Sequence, residues 1–172
     1  MTANALQELT RSKQLTDNLC QINGDKMVFD IVPHEDADPL EIYDRNCILI
    51  IAGDPHQLDR LDKCFSRQGF KVIAHTRGDY GLQAAQNAEP DCVLIDLHLM
   101  DMCGIDLCRK IEDDSKTCHI PSIMIGQAES SETIRDARRA GCQFFLSKPY
   151  DPNALLLMVN ESIAEARSWI CE

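Results

Sequence analysis

Basic residues are scarce in this chain: 17 Lys and Arg stand against 28 Asp and Glu, a formal net charge of −11 over 172 residues. A nucleic-acid footprint needs a basic patch or stripe, so nucleic acid is not an expected partner. No unbroken apolar run approaches the ~18–20 residues of a membrane-spanning helix, and no charged-then-apolar leader opens the chain. A cytoplasmic location without a membrane partner is the expectation. Internal repeats and low-complexity tracts are missing, as are metal-ligand patterns: the nine cysteines include no CxxC pair, and the five histidines are isolated. The single tryptophan, Trp169, reads as a packing anchor rather than a ligand platform.

The acids are spread rather than gathered. Residues 1–46 hold nine acids and four bases and the remainder nineteen and thirteen, so solubility accounts for the charge better than an acidic tail does. Cys92 lies within an apolar run, and Cys108 shares a helical face with Leu107 and Ile111. Both read as buried, reduced thiols, with Cys103 the one thiol placed near a candidate site.

Residues 47–168 alternate five times between short apolar runs and segments of helical period. The predicted strands are 47–52, 70–74, 92–95, 122–125 and 144–146, several of them continuously apolar, as parallel strands covered on both faces are. Helices are predicted at about 56–67, 79–88, 104–113, 130–140 and 152–167. The last shows Leu155, Met158, Val159, Ser162 and Ile163 on one stripe. Asp151 before Pro152 makes an N-cap with proline at N1, and Gly69 and Gly141 sit where helices end. Such alternation predicts a parallel, doubly wound α/β sheet. Residues 1–46 read as an N-terminal extension: a helix over 5–22, an extended stretch over 27–32 and an acidic linker over 33–39. Residues 169–172 read as a C-terminal tail.

Two strands end on lone charges. Pro90-Asp91-Cys92-Val93-Leu94-Ile95-Asp96 ends on a carboxylate, and a loop closed by Gly104 follows. Phe144-Phe145-Leu146-Ser147-Lys148-Pro149 ends on a cation. The C-terminal edge of an open α/β sheet is where such folds place chemistry. With Ile48-Leu49-Ile50-Ile51-Ala52-Gly53-Asp54-Pro55 and Ile120-Pro121-Ser122-Ile123-Met124-Ile125, these segments resemble the receiver domain of two-component response regulators over about residues 47–168. The resemblance implies a flavodoxin-like (βα)5 fold with strand order 2-1-3-4-5. It puts Asp96 at the phosphoacceptor position and Lys148 at the lysine that contacts the phosphoryl group.

The chain departs from the receiver pattern at three places. Receivers carry two adjacent acids after the first strand that hold Mg²⁺; Ala52 and Gly53 stand there, with Asp54 one step later. Gly126 stands at the hydroxyl position after the fourth strand, and Phe145 keeps only the ring at the aromatic switch position. Mg²⁺ demands near-octahedral oxygen ligands, so no cofactor is expected beyond weak Mg²⁺ at Asp54, Asp96 and His98. Asp96 is then open to three readings: one half of a structural ion pair with Lys148, a slow phosphoacceptor, or a normal one using Asp54. Aspartates at Ala52 and Gly53 with threonine at Gly126 are expected to raise metal affinity.

Residues 6–19 resemble the helix and linker between the two receivers of PleD-type diguanylate cyclases, in which the second receiver is a degenerate adaptor. The expected function is therefore a non-enzymatic, phosphorylation-impaired adaptor in response-regulator or cyclic-di-GMP signalling, any cyclase domain being absent from these residues. The alternative is a working response regulator taking a phosphoryl group on Asp96 from a histidine kinase. A nucleotide-binding flavodoxin-like protein is disfavoured, because Gly53-Asp54-Pro55 is a poor phosphate cradle. Arg135, Arg138 and Arg139 form a basic face on the fourth helix, the candidate contact with other receiver or output domains or with a second copy in a weak homodimer.

Overall fold

A computed structural model describes residues 46–127 and 130–170, with backbone only for Trp169 and Ile170. Five parallel strands, β1 (Cys47–Ile51), β2 (Lys71–His75), β3 (Cys92–Asp96), β4 (Ser122–Gly126) and β5 (Phe144–Ser147), lie in the order β2-β1-β3-β4-β5. Five helices alternate with them: α1 (Pro55–Arg67), α2 (Gly78–Ala88), α3 (Gly104–Asp113), α4 (Ser131–Arg139) and α5 (Pro152–Ile170). This is the flavodoxin-like fold expected from the sequence.

The continuously apolar strands are explained by the two layers they serve. Leu49, Ile51, Val93, Ile95 and Met124 face one core with Ala85 of α2, Leu107 and Ile111 of α3 and Ala137 of α4. Ile48, Ile50, Leu94, Ile123 and Ile125 face the other, against Leu61 and Phe65 of α1 and Leu155, Val159 and Ile163 of α5. Successive strand side chains point to opposite faces, so a strand covered twice needs both sets apolar. Each such side chain contributes on the order of 1.5–3 kcal/mol by leaving water.

Local signals set the boundaries. The Asp151 carboxylate accepts from the Asn153 N–H at 2.9 Å at the start of α5, and Gly69 and Gly141 take φ of +86° and +92° just beyond α1 and α4. That left-handed region is open to glycine at little cost. The helix α1 begins one residue earlier than predicted, because Asp54-Pro55 is a second N-cap and N1 pair: Asp54 accepts from the His56 N–H at 3.0 Å. Four strands differ from the predicted bounds by one residue at the C-terminal end, and β2 is shifted by one residue at both ends.

The helix α5 corrects the predicted C-terminal tail, running to Ile170 rather than 167. Its apolar stripe ends at Ile163, but Ala164-Glu165-Ala166-Arg167 are good helix formers, and Arg167 is tied down. Its Nη2 lies 3.0 Å from Asp91 Oδ1 and 2.7 Å from Asn46 Oδ1, and Asp91 Oδ2 accepts from the Cys47 N–H at 2.7 Å. The helix, extended stretch and linker predicted within residues 1–46, and the packing of Trp169, lie outside the described residues.

Candidate functional site

The strand order brings the C-terminal ends of β1, β3, β4 and β5 to one edge. Asp96 is the last residue of β3, paired in register with Ile125, while Gly126 pairs with Ser147. Lys148 follows directly, and its Nζ donates to Asp96 Oδ2 at 2.7 Å. The Asp96 side chain is 5 % exposed and that of Lys148 32 %, so the carboxylate is buried and the ammonium reaches it from the surface. A second acceptor holds the lysine from the other side: Gln57 Oε1 of α1, at 2.6 Å. Gln57 is itself buried, and its Nε2 has no hydrogen-bond partner among the described residues. The His98 N–H approaches the other Asp96 oxygen at 3.4 Å, a long contact. The sequence reading missed Gln57, which belongs to no motif. The only available hint was a polar residue one helical turn before Leu61, on a face that is otherwise apolar.

The space around this pair is taken by the loop that follows β3. A Cβ at Gly53 would lie 2.5 Å from the His98 carbonyl oxygen and 3.2 Å from Leu99 Cα. At Gly126 it would lie 2.5 Å from Leu97 Cβ, and at Gly104 it would collide with the Asp96 carbonyl oxygen. Glycine at 53 and 104 lets backbone approach backbone, and at 126 it leaves room for the Leu97 side chain. The loop is pinned along its length. Leu97 N donates to Ile125 O at 2.8 Å, Gly104 N to Leu97 O at 2.8 Å, and His98 pairs with Cys103 in an isolated antiparallel bridge. Asp101 reaches across to α2, accepting from Gly78 N at 2.7 Å and Asp79 N at 3.0 Å. That helix gets no side-chain cap from its own Arg77, so the loop supplies the acceptor that its first amides need.

The remaining predicted positions fall as follows. Ala52 is buried and its N–H donates to His75 O, without a side-chain oxygen to offer. Asp54 is exposed and its carboxylate caps α1, and the His98 side chain is exposed. The conditional set of Asp54, Asp96 and His98 is therefore not gathered into a site. Among the described residues no group of three or more His, Cys, Asp or Glu could hold a metal ion. The residues present do not fit Mg²⁺, which needs several hard oxygens in near-octahedral array. Phe145 is half-buried with its ring against the α2–α3–α4 core. Tyr150, half-buried on the α1 side, has its phenol raised by desolvation, with Asp96 adding to the effect and Arg60 opposing it. Burial likewise raises the Cys92 thiol, and hydrogen bonding with Cys142 raises that of Cys108, which suits inert core thiols; Cys103 is exposed. Arg135, Arg138 and Arg139 are all exposed, Arg139 already paired with Asp136 at 3.1 Å.

Known proteins resemble this chain in sequence and fold. The model of the response regulator receiver domain matches residues 48–160. The chain belongs to the response regulator receiver family. Protein PilH of Pseudomonas aeruginosa is 27 % identical to this receiver over 117 residues, 68 % of this chain and 97 % of PilH. The DNA-binding response regulator MtrA of Mycolicibacterium smegmatis is 30 % identical over 115 residues, 67 % of this chain but 49 % of MtrA. The receiver thus spans about half the length of that relative. Among solved structures, a CheY-like receiver domain protein from Methanospirillum hungatei JF-1 superposes with a TM-score of 0.68 at 26 % identity, covering 73 % of this chain and 98 % of the other. This is a two-component response regulator receiver domain.

Proposed function

We propose that this receiver is phosphorylation-impaired and acts as an interaction adaptor for other receiver or output domains in response-regulator or cyclic-di-GMP signalling. The observation that carries the reading is the occupied space: backbone of the β3–α3 loop sits where a side chain at Gly53 would stand, and the Leu97 side chain where one at Gly126 would. Phosphoryl transfer depends on positioning and on neutralising charge over the equatorial oxygens. With Lys148 as the one cation paired with Asp96 among the described residues, and no acid pair to hold a metal there, transfer slows tenfold for each ~1.4 kcal/mol of lost stabilisation. Incubation of the full chain with acetyl phosphate and Mg²⁺, followed by intact mass, is expected to show no phosphoryl increment on Asp96. Rapid stoichiometric modification, lost in Asp96→Asn, overturns the reading. It would favour the alternative, a working regulator fed by a histidine kinase, which the position of Asp96 at the end of β3 beside Lys148 supports.

An adaptor works through a surface. The exposed arginines of α4 offer cations on a chain of net charge −11, so a two-fold contact there would set each arginine face against carboxylates of a partner receiver. Arg135→Glu with Arg139→Glu is expected to abolish concentration-dependent association in analytical ultracentrifugation, and added salt to weaken it in the native chain. Association indifferent to both would make this face merely solvated.

A further inference from the structure

At the N-terminal edge of the sheet, the opposite end from Asp96, the segments leading into β4 and β5 together with α3 and α5 line a depression of about 190 Å³. Its floor holds two buried polar atoms with no hydrogen-bond partner among the described residues: Ser162 Oγ, on a residue with 0 % exposure, and Gln143 Oε1. The Gln143 amide is oriented by its other end, since Nε2 donates to Glu165 Oε2 at 2.5 Å. The unpartnered atom is therefore the carbonyl, a pure acceptor. At the rim stand two exposed carboxylates, Glu165 on α5 and Glu112 on α3. Glu112 is seated over the left-handed turn after α4, where a Cβ at Gly141 would meet its Oε2 at 2.6 Å. Neither carboxylate makes an ion pair among the described residues, and the lining contains no Lys or Arg. Pro121 and Ile120 supply an apolar wall.

Leaving a buried acceptor unmatched costs on the order of 1–3 kcal/mol, so such atoms imply a donor. We infer that this depression is a binding site for a guanidinium group, with Glu112 and Glu165 flanking the cation, Gln143 Oε1 and Ser162 Oγ accepting its inner N–H groups, and the aliphatic stem lying along Pro121. The planar fork of guanidinium serves several oxygens at once, which a compact ammonium does with less directionality. Because the two carboxylates face solvent, binding is expected in the millimolar range and to weaken with salt. The site is independent of whether Asp96 is phosphorylated.

The guanidinium can come from a free small molecule or from an arginine side chain of a partner protein. Amide chemical shifts of the full, isotope-labelled chain are followed at pH 8 on adding L-arginine amide, the peptide acetyl-Gly-Arg-Gly-amide, or L-citrulline amide, a neutral near-isostere. Saturable shifts confined to Gly141, Gln143 and Glu165 and their neighbours are expected with the arginine ligands and not with citrulline. Glu112→Gln, which leaves the Gln143–Glu165 hydrogen bond intact, should weaken binding about tenfold, as loss of a charge-assisted contact does. A peptide that binds at least as tightly as arginine amide assigns the group to a partner's side chain, and a silent peptide beside a binding arginine amide assigns it to a free small molecule. Absence of local shifts, equal response to citrulline, or unchanged affinity in Glu112→Gln overturns the inference and leaves a polar pocket filled by water.

Discussion

An aspartate placed at Gly53 is expected to destabilise this receiver by about 3 kcal/mol, at the upper end of the usual range for overpacking, rather than to rebuild a metal site. The added Cβ would stand 2.5 Å from the His98 carbonyl oxygen, and that oxygen belongs to a loop fastened to β4, to itself and, through Asp101, to α2. Relief requires moving backbone, since no flexible side chain stands in the way. Threonine at Gly126 meets the buried Leu97 side chain instead, at its Cβ, the atom fixed to the loop backbone. The expectation from sequence that Ala52→Asp, Gly53→Asp and Gly126→Thr together raise metal affinity is thus reversed: the combined variant should unfold at lower urea with or without Mg²⁺. Gly53→Ala isolates the steric part, because it adds the Cβ without charge, and should account for most of the loss. An unchanged urea midpoint together with Mg²⁺-dependent stabilisation would show that the loop yields, and would remove the main support for an impaired site.

Replacing Lys148 with methionine is the other large effect. The methionine keeps the stem and deletes the ammonium, leaving Asp96 at 5 % exposure with no cation and Gln57 Oε1 without its donor. Removing one partner of a buried ion pair costs ~3–5 kcal/mol. Lys148 is about one-third open to solvent, which moderates the loss, so about 2–3 kcal/mol is expected from urea unfolding at neutral pH. Asp96→Asn in the Lys148→Met background removes the stranded charge and should recover much of that loss, giving a strongly coupled double-mutant cycle. A Lys148→Met variant within about 0.5 kcal/mol of the native chain would mean that the 2.7 Å contact contributes nothing to the fold.

The sequence foretold the fold and the ends of the strands because both depend on local pattern. Leu155, Val159 and Ile163 recur at helical spacing, and the unbroken apolar run from Ile48 to Ile51 is covered on both sides. Asp96 and Lys148 were legible because a charge closing an apolar run is itself a pattern, and the strand order brings the two together. Other features depend on distances that no local pattern encodes. Asp101 caps a helix that begins 23 residues before it, and Gln57 meets a lysine 91 residues away. The glycines at 53 and 126 read as missing functional groups; that loop backbone crowds the first and the Leu97 side chain the second is a fact of spacing. Asp54 shows a different failure. Asp54-Pro55 is the same cap signature as Asp151-Pro152, but a carboxylate beside the receiver's acidic positions invited a chemical reading over a structural one.

Arg167, Asp91 and Asn46 give this domain a particular mechanical character. The side chain near the end of α5 touches the residue that leads into β1, so the start of the first strand and the last turn of α5 are clasped together. Each bond of an exposed clasp is weak, on the order of 0.2–1 kcal/mol, yet it lies directly on the line between residues 46 and 167. Tension between those residues would load three side chains and cross no strand of the sheet. Asp96 lies a strand's length away, about 16 Å for five residues. Within the described residues, then, the clasp and the depression lie at one end of the sheet and the Asp96 carboxylate at the other.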